Sequence, residues 1–297
     1  MLCVQVRRVV DSVLGARGRG FESRRPDLMN ERSRRIAYFL ACATFAVAGS
    51  GVLAIPGQAV AGGGGASLLP DVIVRPLSEI RIQKARGVKL LRFASIIGNR
   101  GAGVVELKPD SAARSASNDC DDDGDARNDR RAFQRIFRDA DADGVFTRGV
   151  DTVFDKRFAG CSVFHSDHNH WHFEEFARYR LVKPKTGRVV ASSEKVSFCV
   201  RDSIRFGAGL PGSPGSAHYG DCDEDSVTGL SIGWADYYGS SLPGQELDVR
   251  GLADGRYCLR NRADPRDRLD ESDDRNNGRS TLVRIRGPEV RNLGEAC

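Results

Sequence analysis

The chain has 297 residues, 40% of them apolar and 29% charged, enough for one large folded domain or two small ones and too apolar for general disorder. The formal net charge is +5, but the excess sits at the front: residues 1–61 hold nine arginines against four acids, leaving 36 basic and 36 acidic residues for the rest. A neutral body carries no electrostatic footprint for DNA or RNA, so no nucleic-acid partner is expected.

Residues 1–28 lack a periodic apolar pattern and precede a better start at Met29, so they read as a leader from a mis-assigned start codon. From Met29 the chain shows Arg32, Arg34 and Arg35, an apolar run from Ile36 to Ala48, and Ala59-Val60-Ala61 before Gly62. Those are the parts of a secretory signal peptide over residues 29–61, and the apolar run is too short to span a bilayer. The expectation is a secreted protein, free of the membrane once the signal is cleaved. Residues 62–69 form a glycine-rich joint, and residues 70–297 form the functional body. Cys3 and Cys42 leave with the leader, and the remaining six cysteines in an exported chain point to disulfides whose pairing the spacing leaves open. None of them falls in a CxxC spacing, which gives a thiolate zinc or redox site little support.

In chain order, Val72/Val74, Ile80/Ile82 and the apolar stretch from Val88 to Ile97 predict strands. Residues 99–103, with Gly101 and Gly103, separate that stretch from Val104-Val105-Glu106-Leu107 and suggest a hairpin. Phe133, Ile136 and Phe137 have the spacing of one short amphipathic helix. Later strand-like runs are Val196 to Val200, Leu247 to Val249, Tyr257 to Leu259 and Leu282 to Ile285. The class is mainly β: an immunoglobulin-like β-sandwich with long loop insertions and one short helix. Two loops, Asp119–Gly124 and Asp139–Gly144, share the DxDxDG spacing of the first half of a calcium loop. Position 12 is Arg130 or Val150 rather than the bidentate glutamate, so Asp139, Asp141 and Asp143 are a calcium candidate with a solvated acidic turn as its rival.

Four of the five histidines fall within eight residues, as His165, His168, His170 and His172. Residues two apart point nearly opposite ways on a helix but share one face of a strand. His168, His170 and His172 are therefore expected to converge, while Trp171, Phe173, Ala177, Tyr179 and Leu181 face the core with Glu175 as the exception. Three imidazoles side by side suit Cu(II) or Zn(II) and leave positions open for water or substrate. His165 is a candidate for outer support of that site.

The run from His168 to Phe176 resembles the HxHxH copper segment of lysyl oxidases. The segment Lys195 to Asp202 is similar to the one around the lysine that enters that family's lysine tyrosylquinone cofactor, and Gly229 to Tyr238 is similar to the one that carries the cofactor tyrosine. Histidines, lysine and tyrosine follow in the family's order, and the likeness runs from about Leu69 to Arg286, including Glu271 to Asn277. The resemblance implies copper on His168, His170 and His172 and a quinone formed from Lys195 and Tyr238; within that chemistry Asp236 is the best candidate for the catalytic base. It implies oxidation of a primary amine, a small amine or a protein lysine, to an aldehyde with release of ammonia and hydrogen peroxide. It also implies disulfides Cys199–Cys222, Cys120–Cys161 and Cys258–Cys297. Animal members carry cysteines where this chain has Asp167 and Trp234, so the local scaffold departs from theirs. The alternative is a non-enzymatic exported β-sandwich that binds a metal or a partner; a three-histidine zinc hydrolase is a third reading.

Overall fold

The computed structural model describes residues 65–85, 87–110, 119–120, 124, 128–166, 169–193, 196–295 and 297, all inside a compact unit spanning residues 60–297. The leader and signal segments lie outside the described residues. The described chain is mainly β, as expected, and its strands are β1 (Ser67–Leu68), β2 (Val72–Val74), β3 (Ser78–Ala85), β4 (Val88–Asn99), β5 (Val105–Pro109) and β6 (Asp129–Arg138), then β7 (Phe154–His165), β8 (His170–Val182), β9 (Val189–Ser192), β10 (Val196–Phe198), β11 (Ile204–Arg205) and β12 (Thr228–Leu230), then β13 (Trp234–Tyr238), β14 (Glu246–Asp248), β15 (Gly255–Ala263), β16 (Gly278–Arg286) and β17 (Glu289–Asn292).

An eleven-stranded antiparallel sheet runs β12-β5-β6-β7-β8-β15-β16-β17, with β1 beside β6 and both β9 and β10 beside β8. A second, six-stranded sheet runs β11-β13-β4-β14, with β2 and β3 also on β4. Alternation in the sequence explains why the two sheets share a core. On β8, Ala177, Tyr179 and Leu181 are buried while Arg178 and Arg180 are half-buried on the other face. Phe93 of β4 meets the Tyr179 ring edge-on at 4.7 Å, and the Tyr179 hydroxyl donates to Ser95 Oγ at 2.7 Å. One contact thus joins the sheets through apolar area, and a second satisfies the phenol that burial would otherwise strand.

Two expectations about elements are corrected. The segment with Phe133, Ile136 and Phe137 is not a helix; it is β6, paired with β5 on one side and β7 on the other. Ala132, Gln134 and Ile136 face inward, whereas Phe133 meets Phe158 edge-to-face and the Arg135 guanidinium lies over Phe154 on the outside. Gln134 hides the period of two. It is fully buried because its amide donates to the Asp270 carbonyl and accepts the Asp270 N–H. The second correction concerns residues 99–103, which do not close a hairpin: β4 and β5 belong to different sheets. The glycines serve close approach instead, since a Cβ on Gly103 would lie 2.0 Å from the Leu68 carbonyl oxygen and one on Gly101 2.3 Å from the Asp71 nitrogen. Within the stretch read as a joint, Ser67 and Leu68 already pair with Arg138 and Phe137.

The run Glu271–Asn277 ties the segment before β16 to the start of β2. Glu271 accepts the Val72 N–H and the Asn277 amide, and Asn276 donates to Asp71. Burial first of all pushes the Glu271 carboxyl up to about 8. Among the described residues no helix is long and apolar enough to cross a membrane.

Candidate functional site

The hairpin of β7 and β8 brings the described histidines together. His165 lies directly opposite His170, and Val163 opposite His172. The turn between the strands is closed by the Asn169 N–H donating to the His165 carbonyl at 2.8 Å, with Asn169 at φ 55°. His170 and His172 share a face as the strand period requires, and their Nε2 atoms stand 2.8 Å apart. Two nitrogens at about 2.0 Å from one ion and at a right angle to each other lie about 2.8 Å apart, so this pair fits a shared metal ion. His168, the third expected ligand, lies outside the described residues.

Behind the pair stand groups that orient it. His172 Nδ1 shares a hydrogen bond with Ser197 Oγ at 3.0 Å, and the same hydroxyl lies 3.2 Å from His165 Nε2. His165 Nε2 is also 3.2 Å from a Glu174 carboxylate oxygen. A ligating imidazole whose second nitrogen is held in this way has its ring orientation set before any metal arrives. Just past this point β8 bends: Glu175 takes φ 56°, and pairing with β10 shifts register between Phe173 and Ala177. The bend turns the Glu175 carboxylate out to Arg266, 2.8 Å away, which accounts for the one break in the apolar row.

Strand β10 then carries the site across to β13. Val196 and Phe198 are buried in the core, so Ser197 faces the histidines. The Phe198 ring meets Tyr238 with centroids 4.0 Å apart, and the Cys199 N–H donates to the Tyr238 hydroxyl at 2.8 Å. Lys195 lies outside the described residues, one position before this strand. On β13, Asp236 and Tyr238 alternate to one face. Tyr237 alternates with them; its hydroxyl donates to Glu79, and it too borders the cleft they share. His165, His170, His172, Ser197, Asp236 and Tyr238 all line one cleft of about 740 Å³, whose wall also includes Arg201, Asp221 and Asp223.

Burial tunes Asp236 and Tyr238 of β13. The Asp236 carboxyl is 1% exposed and is pushed up to about 7, opposed by the hydrogen bond that Ser203 Oγ donates at 2.7 Å and by the Arg201 charge. Its Oδ2 is buried without a hydrogen-bond partner among the described residues. The Tyr238 phenol is held well above its ordinary range, first by burial and then by the Asp236 charge, so in this setting it is neutral.

The comparisons with known proteins fall on these same strands. The family model for lysyl oxidase matches residues 142–293, which include β7, β8, β10 and β13. The chain belongs to the lysyl oxidase family. Over 119 residues, 38% of its length, this lysyl oxidase family member is 34% identical to protein-lysine 6-oxidase of Homo sapiens and covers 26% of that protein. It is 33% identical over 115 residues, again 38% of its length, to lysyl oxidase homolog 1 of Homo sapiens, covering 19% of it. It is 32% identical over 129 residues, 42% of its length, to protein-lysine 6-oxidase of Sus scrofa, covering 47% of it. The chain therefore spans less than half the length of each of these relatives.

In this lysyl oxidase family member the three disulfides that the resemblance implied are present: Cys120–Cys161, Cys199–Cys222 and Cys258–Cys297, with Cα atoms 5.5, 5.7 and 5.9 Å apart. Cys120, Cys161 and Asp129 lie close enough to suggest a metal cluster, but the two sulfurs are bonded to each other and offer no thiolate. Ser197, Ser203 and Glu174 were not singled out from the sequence. Ser197 was within reach of it, because it alternates with Val196 and Phe198. Ser203 and Glu174 act across strand pairings that only the fold supplies.

Proposed function

We propose that this chain is a copper-dependent amine oxidase that acts outside the cell, converting primary amines, peptidyl lysine among them, to aldehydes with release of ammonia and hydrogen peroxide. The observation that carries this reading is the short segment just after Lys195. Ser197 holds His172, and Phe198 with Cys199 holds Tyr238, so one strand ties the metal histidines and the cofactor tyrosine to the position of the lysine. When formed, copper held by His168, His170 and His172 and the lysine tyrosylquinone made from Lys195 and Tyr238 supply the redox chemistry that side chains lack.

The remaining work belongs to the protein's own groups. Asp236 accepts the proton from the carbon next to the amine: a carboxyl at about 7 is near the operating pH, where a general base is most effective, and its Oδ2 has a lone pair to spare. Ser203 fixes the carboxyl by holding Oδ1. Asp221 and Asp223 on the cleft wall draw a cationic amine toward it. The three disulfides suit an oxidising compartment and support the secreted location.

The test is peroxide release from a primary amine, read alongside phenylhydrazine labelling after exposure to copper and oxygen. The native chain should release peroxide and yield a coloured adduct that maps to Tyr238. The Lys195→Arg variant should keep its copper and lose both signals. Amine oxidation that survives in that variant would overturn the scheme, and a native chain with copper bound but neither signal would leave the non-enzymatic metal-binding module.

A further inference from the structure

The loop joining β6 to β7 carries chemistry that the cleft does not use. Asp139, Asp141 and Asp143 each present a carboxylate oxygen, and these oxygens lie within 4.8 Å of one another. Like charges so close repel unless something of opposite charge stands between them. One of the three is also buried. Asp139 is 7% exposed; its Oδ2 accepts the Gly144 N–H at 2.9 Å, while its Oδ1 is buried with no hydrogen-bond partner among the described residues. A bare carboxylate oxygen at that depth costs free energy that hydrogen bonding within the loop does not recover, and a cation is the missing partner its chemistry calls for.

At the far end of the loop a buried carboxylate fixes its shape. Asp151 is 2% exposed, and its two oxygens accept the Ala140 N–H at 2.8 Å and the Thr147 N–H at 2.7 Å. It stands one position after Val150, where the calcium-loop spacing would place a glutamate, and it closes the loop onto its own beginning. Every candidate donor is a hard oxygen, with no imidazole or thiolate among them, which excludes the softer transition metals that suit His170 and His172. Calcium takes six to eight oxygens in a flexible arrangement, whereas magnesium keeps much of its water and demands an octahedron.

We propose that the loop from Asp139 to Asp151 binds a calcium ion through the Asp139, Asp141 and Asp143 carboxylates, while Asp151, both of whose oxygens accept backbone N–H groups, holds the loop folded around them. The consequence reaches the cleft. Phe146, in the same loop, packs against Phe137, and Arg148 donates to the Tyr219 hydroxyl at 2.9 Å. Tyr219 in turn donates to Glu106 and lies three residues before Cys222, which lines the cleft. An ion that rigidifies residues 139–151 therefore steadies the wall beside the histidines without touching them.

The test uses the purified chain in metal-free buffer, with calcium chloride added and followed by calorimetric titration and thermal unfolding. At a hundredfold excess over Kd the melting temperature should rise by about 5–10 °C. Asp141 and Asp143 are exposed, so an Asp141→Ala/Asp143→Ala variant should fold and lose the rise, while a His172→Ala variant should keep it. That contrast separates this site from the copper centre, whose failure would leave the calcium response intact. Absence of calcium heat in the native chain, an unchanged response in the double variant, or an equal response to magnesium chloride would each overturn the assignment.

Discussion

Asp236 is the residue whose environment departs furthest from water with a purpose the cleft can use. Unfolded, its carboxyl ionises near 3.8; folded, burial holds it to about 7. Between those values the native chain binds one more proton than the unfolded chain, so stability falls as pH rises through that window and is flat outside it. The full span is worth about 4 kcal/mol at most. Asp236→Asn removes this component. Urea unfolding at pH 4.5 and pH 8 should show the native chain losing a few kcal/mol relative to the variant as pH rises, and parallel behaviour at the two pH values would contradict the assignment. The variant should also oxidise amines at least about a hundredfold more slowly, the usual worth of a positioned base. Asp236, Tyr238, His170 and His172 were legible in the sequence because each sits in a motif or an alternation. Ser203 was not, since a lone serine gives no sign of which carboxyl it will meet.

At the scale of elements, hydrophobic alternation was enough to read β2 to β5, β10, β14, β15 and β16, and it placed the histidines on one face of β8. It failed on β6, where apolar residues at spacings of three and four imitate a helix while the true inward row contains Gln134, a polar residue paid for by two backbone partners on Asp270. It also misjudged residues 99–103, because glycines that permit a tight turn and glycines that permit close packing look alike in a sequence. The structure distinguishes them, and substitution should as well. Gly103→Ala drives a Cβ against the Leu68 carbonyl and should cost about 1–3 kcal/mol in chemical denaturation. Gly209→Ala, with nothing within 4 Å of the added atom, should stay within about 0.5 kcal/mol of the native chain. Equal effects would mean that the crossover between the sheets is not packed as described.

Over the whole molecule, the cleft is an assembly of distant pieces: a hairpin from β7 and β8, the short β10 clamped by the Cys199–Cys222 disulfide, and β13 from the other sheet. Sequence motifs named these pieces in order, but that they meet depends on register, on the bend at Glu175 and on the core that Phe93 and Tyr179 share. On the proposed function, one bound copper ion drives the joining of Lys195 to Tyr238 across this assembly. Mass spectrometry of peptides from the copper-loaded, oxygen-exposed chain tests it most directly. The expected result is a single crosslinked species containing Lys195 and Tyr238, absent when copper is withheld. Recovery of both residues in separate, unmodified peptides from chain that has bound copper would contradict it.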